Sequence, residues 1–129
     1  MTLQQFIDHH TITLTATRTD RNPAMSDFEG DHWKVTLKRP GRQMTLVFSK
    51  GYGHGGAPPT SEEVLECLQS DARGADDCAS FEEFCDYFSY DSDSRRAEKT
   101  YKAIKRQAAK LRTFLWDLFE EFLDCEEED

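Results

Sequence analysis

One stretch restricts the fold of this chain more than any other. Between residues 94 and 123, apolar side chains recur at Ala97, Tyr101, Ile104, Ala108, Leu111, Leu115, Leu118 and Phe122, alternately four and three positions apart. Neither Gly nor Pro interrupts the run. That spacing holds one stripe on one side of an α-helix and fits no strand. At 1.5 Å per residue, a helix of this span reaches about 45 Å. A small three-stranded sheet cannot cover that length. Part of the helix is therefore expected to overhang or to pack on a partner, leaving a monomer or a homodimer through the long helix as the alternatives.

Upstream, the period changes from 3.6 to two. TITLTATR, residues 11–18, alternates Ile12, Leu14 and Ala16 with Thr11, Thr13, Thr15 and Thr17. HWKVTLKR, residues 32–39, sets Trp33, Val35 and Leu37 against Lys34, Thr36 and Lys38. QMTLVFSK, residues 43–50, turns Met44, Leu46 and Phe48 inward. Each is the pattern of a half-buried strand. Pro40 and Gly41 form a turn pair, Pro fixing φ and Gly admitting φ > 0. Together these strands predict an antiparallel meander with one apolar and one polar face.

Residues 19–31 and the GYGHGGAPP segment, 51–59, are loops by composition. Residues 2–8 suit a short helical turn. Thr60 with Glu63, and Ser80 with Glu83, are capping boxes that open helices over about 61–72 and 81–89. In the second, Phe81, Phe84, Cys85 and Phe88 make one apolar stripe. The expected fold is a single α+β domain over residues 1–129. It comprises a three-stranded antiparallel meander, two short helices, one long C-terminal amphipathic helix over 94–123, and an acidic tail over 124–129.

The charge is sorted along the chain. The net charge is −9. Residues 60–93 carry eleven carboxylates against one arginine, residues 95–112 eight bases against one glutamate, and residues 113–129 eight carboxylates and no base. A strongly negative chain is repelled by nucleic acid and by anionic membranes. A protein partner with a positive surface is expected, with neither direct nucleic-acid contact nor membrane association. MTLQQFIDHH lacks the basic and apolar regions of a signal peptide, and no run approaches the roughly 18 apolar residues of a membrane span. The expected location is the cytoplasm, with the cysteines reduced.

The motifs that carry chemistry are weak. GYGHGG has the layout of a phosphate cradle, but no Lys follows it, and Glu62, Glu63 and Glu66 crowd the next helix start. Asp91 and Asp93 open like a calcium loop, yet Arg95 and Arg96 stand where that loop needs an oxygen ligand and Gly. His9, His10, His32 and His54 lack metal-ligand spacing. Cys67 and Cys85 lie on apolar faces and are expected to be buried thiols. The acids around Cys78 oppose a thiolate. No nucleophile elbow or acid–base pair is present. No catalytic, cofactor-binding or metal-binding residue is assigned, and an enzyme is not expected.

Three stretches, HWKVTLKRPGRQMTLVFSKGYGHGGAPPTSEEVLECLQSDA, FEEFCDYFSYDSDSRRAEKTYKAIKRQ and KLRTFL, resemble a family of small proteins carried by bacteriophages, prophages and plasmids. The resemblance covers about residues 32–116. It implies a mobile-element origin in a bacterial host and no catalytic residues to carry over. Small acidic phage proteins are often inhibitors of host defence, anti-CRISPR proteins among them. The expected function is thus a non-catalytic inhibitor that binds a basic nucleic-acid-binding surface of a host effector such as a CRISPR complex. Its expected contact residues are Glu62, Glu63, Glu66, Asp76, Asp77, Asp117, Glu120, Glu121 and Asp124. One alternative is a nucleic-acid-binding accessory protein acting through Arg95, Arg96, Lys99, Lys102, Lys105 and Arg106. Another is a protein that sequesters a small signalling molecule between the loops 19–31 and 51–59. The basic half of the helix is expected to be neutralised by the acidic stretches on either side of it.

Overall fold

The structure, a computed structural model, describes residues 1–22, 30–51, 56–77, 82, 83, 85 and 95–126, with the backbone alone at 74–77 and 96. The chain runs α1 (Leu3–His9), β1 (Thr13–Thr19), β2 (Asp31–Arg39), β3 (Arg42–Lys50), α2 (Ser61–Asp77), α3 (Arg95–Phe114) and α4 (Phe119–Leu123). The strands form one antiparallel sheet in the order β1-β2-β3. The fold is α+β, with the meander and the long C-terminal helix in place.

The turn residues act as their chemistry requires. Arg39 pairs with Arg42 across a two-residue loop, and Gly41 takes φ 80° there. Thr60 Oγ1 accepts from the Glu63 N–H at 3.1 Å, and the Glu63 carboxylate accepts from the Thr60 N–H at 3.3 Å, the expected capping box. Ser80 lies outside the described residues, as do Phe81, Phe84 and Phe88, Cys78, Asp91 and Asp93, and His54. Of the second expected helix only Glu82, Glu83 and Cys85 are described; all three are helical.

One face of the sheet and one face of each helix meet in a common core. Val35, Leu37, Met44 and Leu46 come from the sheet, Phe6 and Ile7 from α1, and Val64, Leu65 and Leu68 from α2. Leu111 and Phe114 come from the end of α3, Leu115 from the turn after it, and Phe119 and Phe122 from α4. Cys85, Ala97, Tyr101 and Ile104 form a second, smaller cluster. The opposite sheet face, with Thr13, Thr15, Thr17, Lys34 and Lys38, is exposed.

Four expectations change. First, the helix over 94–123 is divided. It stops at Phe114, turns through 115–118, and resumes as α4. The cause lies in the β2–β3 hairpin. Arg39 Nε donates to the Phe114 carbonyl at 2.9 Å, and Arg42 Nη1 to the Thr113 carbonyl at 2.6 Å. Two guanidiniums thus satisfy carbonyls that end a helix, where cations are also favoured by the dipole. α3 has 20 residues, about 30 Å, and the excess length that suggested partner packing is taken up by the turn.

Second, the acidic tail is tied down where it is described. Cys125 is buried, and Glu126 pairs with Thr2 in a parallel bridge, donating to the Met1 carbonyl at 3.1 Å. Third, Thr11 is not part of β1. It follows α1 at φ 54°, with its N–H on the Asp8 carbonyl and the Ile12 N–H on the Ile7 carbonyl, a left-handed helix stop. Fourth, α2 runs through Gly74 to Asp77 rather than ending near 72. Packing of Ala72 and Gln69 offsets the roughly 1 kcal/mol that an interior Gly costs.

Candidate functional site

The acidic residues singled out in the sequence fall on α2, on α4 and on the residues flanking α4, with Asp117 in the turn before it and Asp124 as its C-cap. α2 and α4 are joined by side chains that reach main-chain oxygens. The buried Gln69 amide donates to the carbonyls of Phe122 at 2.8 Å and Cys125 at 3.2 Å. Arg73 donates to the Leu123 carbonyl. Glu62, Glu66, Gln69 and Arg73 are spaced four, three and four apart, so they share one stripe of α2. Gln69 and Arg73, the C-terminal part of that stripe, meet the end of α4; Glu120 lies on α4 and Asp124 is its C-cap, one turn on.

These carboxylates are not equivalent. Glu63 pairs with Lys50 Nζ at 2.9 Å. Partial burial works to raise its pKa, but the Lys50 contact and the Thr60 N–H outweigh that and hold it below the usual glutamate value. Asp117 is paired with Arg39, whose hydrogen bond holds its carboxyl low. Glu121 faces the His10 ring at 3.2 Å. Glu62 is half-buried, while Glu66, Glu120 and Asp124 are exposed, and none of the four has an ion pair among the described residues. Asp76 and Asp77 form the last turn of α2, with side chains outside the described set. Trp116, 73% exposed, stands in the turn that leads into α4. Sequence periodicity set Trp116 off the core stripe but did not single it out.

The bases lie elsewhere. Arg95, Lys99, Lys102 and Arg106 are exposed on α3 at spacings of four, three and four, one continuous stripe. Lys102 pairs with Glu98 at 3.0 Å, a contact within the same helix. Lys105 is half-buried, its ammonium 5.6 Å from the Tyr101 ring. Arg96 is described by its backbone alone. Among the described residues no ion pair joins α3 to α2. Lys110 donates to the Thr45 carbonyl at 3.5 Å and Asn22 to the Val47 carbonyl at 3.3 Å, so both protect the outer edge of β3.

Cys67 departs from its expected burial. Val64, Leu65, Leu68 and Ala72 take the core side of α2, which turns Cys67 outward with Ser70 and Asp71. The cleft it borders, lined also by Phe48, Lys50 and Glu63, still strips water from the thiol. That desolvation and the Asp71 carboxylate, 3.9 Å away, push Cys67 up to about 12, and desolvation raises Asp71 to about 6. A thiol in that state is a poor nucleophile at neutral pH. Burial also raises Cys125, which donates to the Glu121 carbonyl. Among the described residues no three His, Cys, Asp or Glu side chains gather in a metal-binding group, and no helix is long and apolar enough to cross a membrane. Comparison with family models, curated proteins and solved structures returns no match.

Proposed function

We propose that the chain is a stoichiometric, non-catalytic binding protein of a mobile genetic element. It acts in the cytoplasm of a bacterial host and inhibits a defence complex, a CRISPR effector being the leading case. Its contact is the acidic side built from α2 and α4, with Glu62, Glu66, Glu120 and Asp124 as the charges and Trp116 as the anchor. The observation that carries this is an exposed tryptophan, Trp116, in the turn that leads into α4, together with carboxylates on α2 and at α4 that lack an ion pair among the described residues. Tryptophan dominates the energetics of protein interfaces, and complementary charge sets partner choice and association rate. The complementary surface is a basic groove that otherwise holds nucleic acid. The test is affinity capture from defence-positive cells, followed by nucleic-acid binding of the captured protein. The expected result is a one-to-one complex whose partner no longer binds its nucleic acid. A partner that retains full nucleic-acid affinity while saturated with this chain overturns the proposal.

A second reading has its own support. The exposed stripe Arg95, Lys99, Lys102 and Arg106 suits a nucleic-acid backbone. A salt series on DNA and RNA binding separates the two, because phosphate contacts weaken steeply with salt. No salt-dependent affinity for either polymer ends this second reading.

A further inference from the structure

Where α3 crosses the edge of β3 there is an open cleft of about 340 Å³. Three cationic side chains line it: Lys34 from the polar sheet face, and Arg106 and Lys110 from α3. Thr45, Gln107 and Asn22 complete its polar lining, and Leu46, Val47 and Ala103 give it an apolar wall. No carboxylate is among the described residues that line it. In a chain of net charge −9, three bases converging on one concave surface without an acid is the reverse of the average.

The geometry is built by regular elements. Ala103, Arg106, Gln107 and Lys110 are spaced three, one and three apart and share one face of α3. Lys34 lies opposite Val47 in the β2–β3 register, and Thr45 lies two residues along on the same side. Asn22, only 4% exposed, donates to the Val47 carbonyl and to Ser49 Oγ at 3.0 Å, and so fixes the chain after β1 against the cleft floor. Lys34 and Arg106 have no ion pair or hydrogen bond among the described residues, and Lys110 has only its long contact with the Thr45 carbonyl. The positive ends are available to a ligand.

We propose that this cleft binds the phosphate group of a nucleotide, with Arg106 and Lys110 on the phosphate, Lys34 closing the opposite side, and the sugar and base against Val47 and Ala103. Arginine presents a planar fork that matches phosphate oxygens, and lysine adds a point charge. The volume falls in the roughly 300–1,000 Å³ range of small-molecule sites. The phosphate belongs either to a free nucleotide or to a nucleic-acid strand running along α3. The cleft is separate from the acidic side of α2 and α4, so the two proposals stand or fall apart.

The test is isothermal titration of the full chain at low salt with three probes: pyrophosphate, a 5′-phosphorylated dinucleotide, and a ten-nucleotide single strand. The variants are Lys34→Met, Arg106→Gln and Lys110→Met combined, with Lys38→Met as a control, an exposed lysine of the same sheet face outside the cleft. Far-ultraviolet circular dichroism checks that each variant is folded. The expected result is saturable binding of at least one probe, weakened tenfold or more in the triple variant and less than twofold in Lys38→Met. Equal affinity for the dinucleotide and the strand assigns a free nucleotide; binding of the strand alone assigns a nucleic acid, and both support the cleft. Three outcomes overturn it: no saturable binding, a triple variant equal to the original chain, or an equal loss in Lys38→Met, which marks diffuse attraction to surface lysines.

Discussion

Replacing Asp71 by Asn removes a carboxyl that the fold holds at an unfavourable pKa. Desolvation raises Asp71 from 3.8 to about 6, against the partial relief of the Cys67 hydrogen bond. A carboxyl whose folded value is raised favours the folded state while it is protonated in both states, below 3.8. That advantage is lost as pH climbs through about 6. Moving a carboxyl from 3.8 to about 6 corresponds to roughly 3 kcal/mol, and water reaching a half-buried side chain reduces it to about 1–2 kcal/mol. Asn keeps the size and an acceptor for the Cys67 thiol but carries no charge. Asp71→Asn is therefore expected to be more stable than the original chain at pH 7 by about 1–2 kcal/mol, or roughly 3–8 °C in Tm. The two proteins converge below pH 4. Thermal unfolding of both, followed by circular dichroism at half-unit steps from pH 3.5 to 8, measures this. A difference that is constant across pH, or an Asn variant less stable at pH 7, refutes the desolvation account of Asp71.

Three further outcomes are expected. Arg39→Ala with Arg42→Ala removes the donors on the Phe114 and Thr113 carbonyls, so the end of α3 frays at a cost of about 1–3 kcal/mol, read by urea unfolding and by faster amide exchange over 115–118; unchanged exchange there contradicts the capping role. Gln69→Met leaves the Phe122 and Cys125 carbonyls without the amide, which costs about 1–3 kcal/mol and loosens α4 from α2; full protection over 122–126 in hydrogen exchange argues against it. Thr11→Gly relieves a β-branched residue at φ 54° and raises stability by about 1 kcal/mol in urea titration, whereas a lower midpoint removes the strain.

The sheet was legible from period two alone, because one face of each strand meets the core and the other meets water. Pro40-Gly41 and the Thr60–Glu63 box were legible for the same local reason: each satisfies its own backbone within four residues. The division of the last helix was not. Its cause, Arg39 and Arg42, lies more than 70 positions away, and the four–three spacing continues through Leu115, Leu118 and Phe122 because all three still pack after the turn. Phe114 and Phe119, both buried, stand three and four residues from stripe members and so only widen the same apolar face, which a straight helix would bury equally well. Cys67 sits one position from the boundary of the α2 stripe, where periodicity is least decisive. The acidic site was half legible. Composition located the carboxylates, but only the fold shows that Glu63, Asp117 and Glu121 are engaged at home, that the end of α4 is held to α2 through Gln69 and Arg73, and that Trp116 stands exposed in the turn before α4.

The most direct test of the inhibitor account is the plating efficiency of a targeted phage on CRISPR-positive cells expressing this chain. The chain is expected to restore plating toward that on CRISPR-negative cells. Trp116→Ala combined with Glu120→Lys and Asp124→Lys, expressed to the same level and folded, is expected not to restore it. Equal plating with and without the chain contradicts the inhibitor account, as does full restoration by the triple variant.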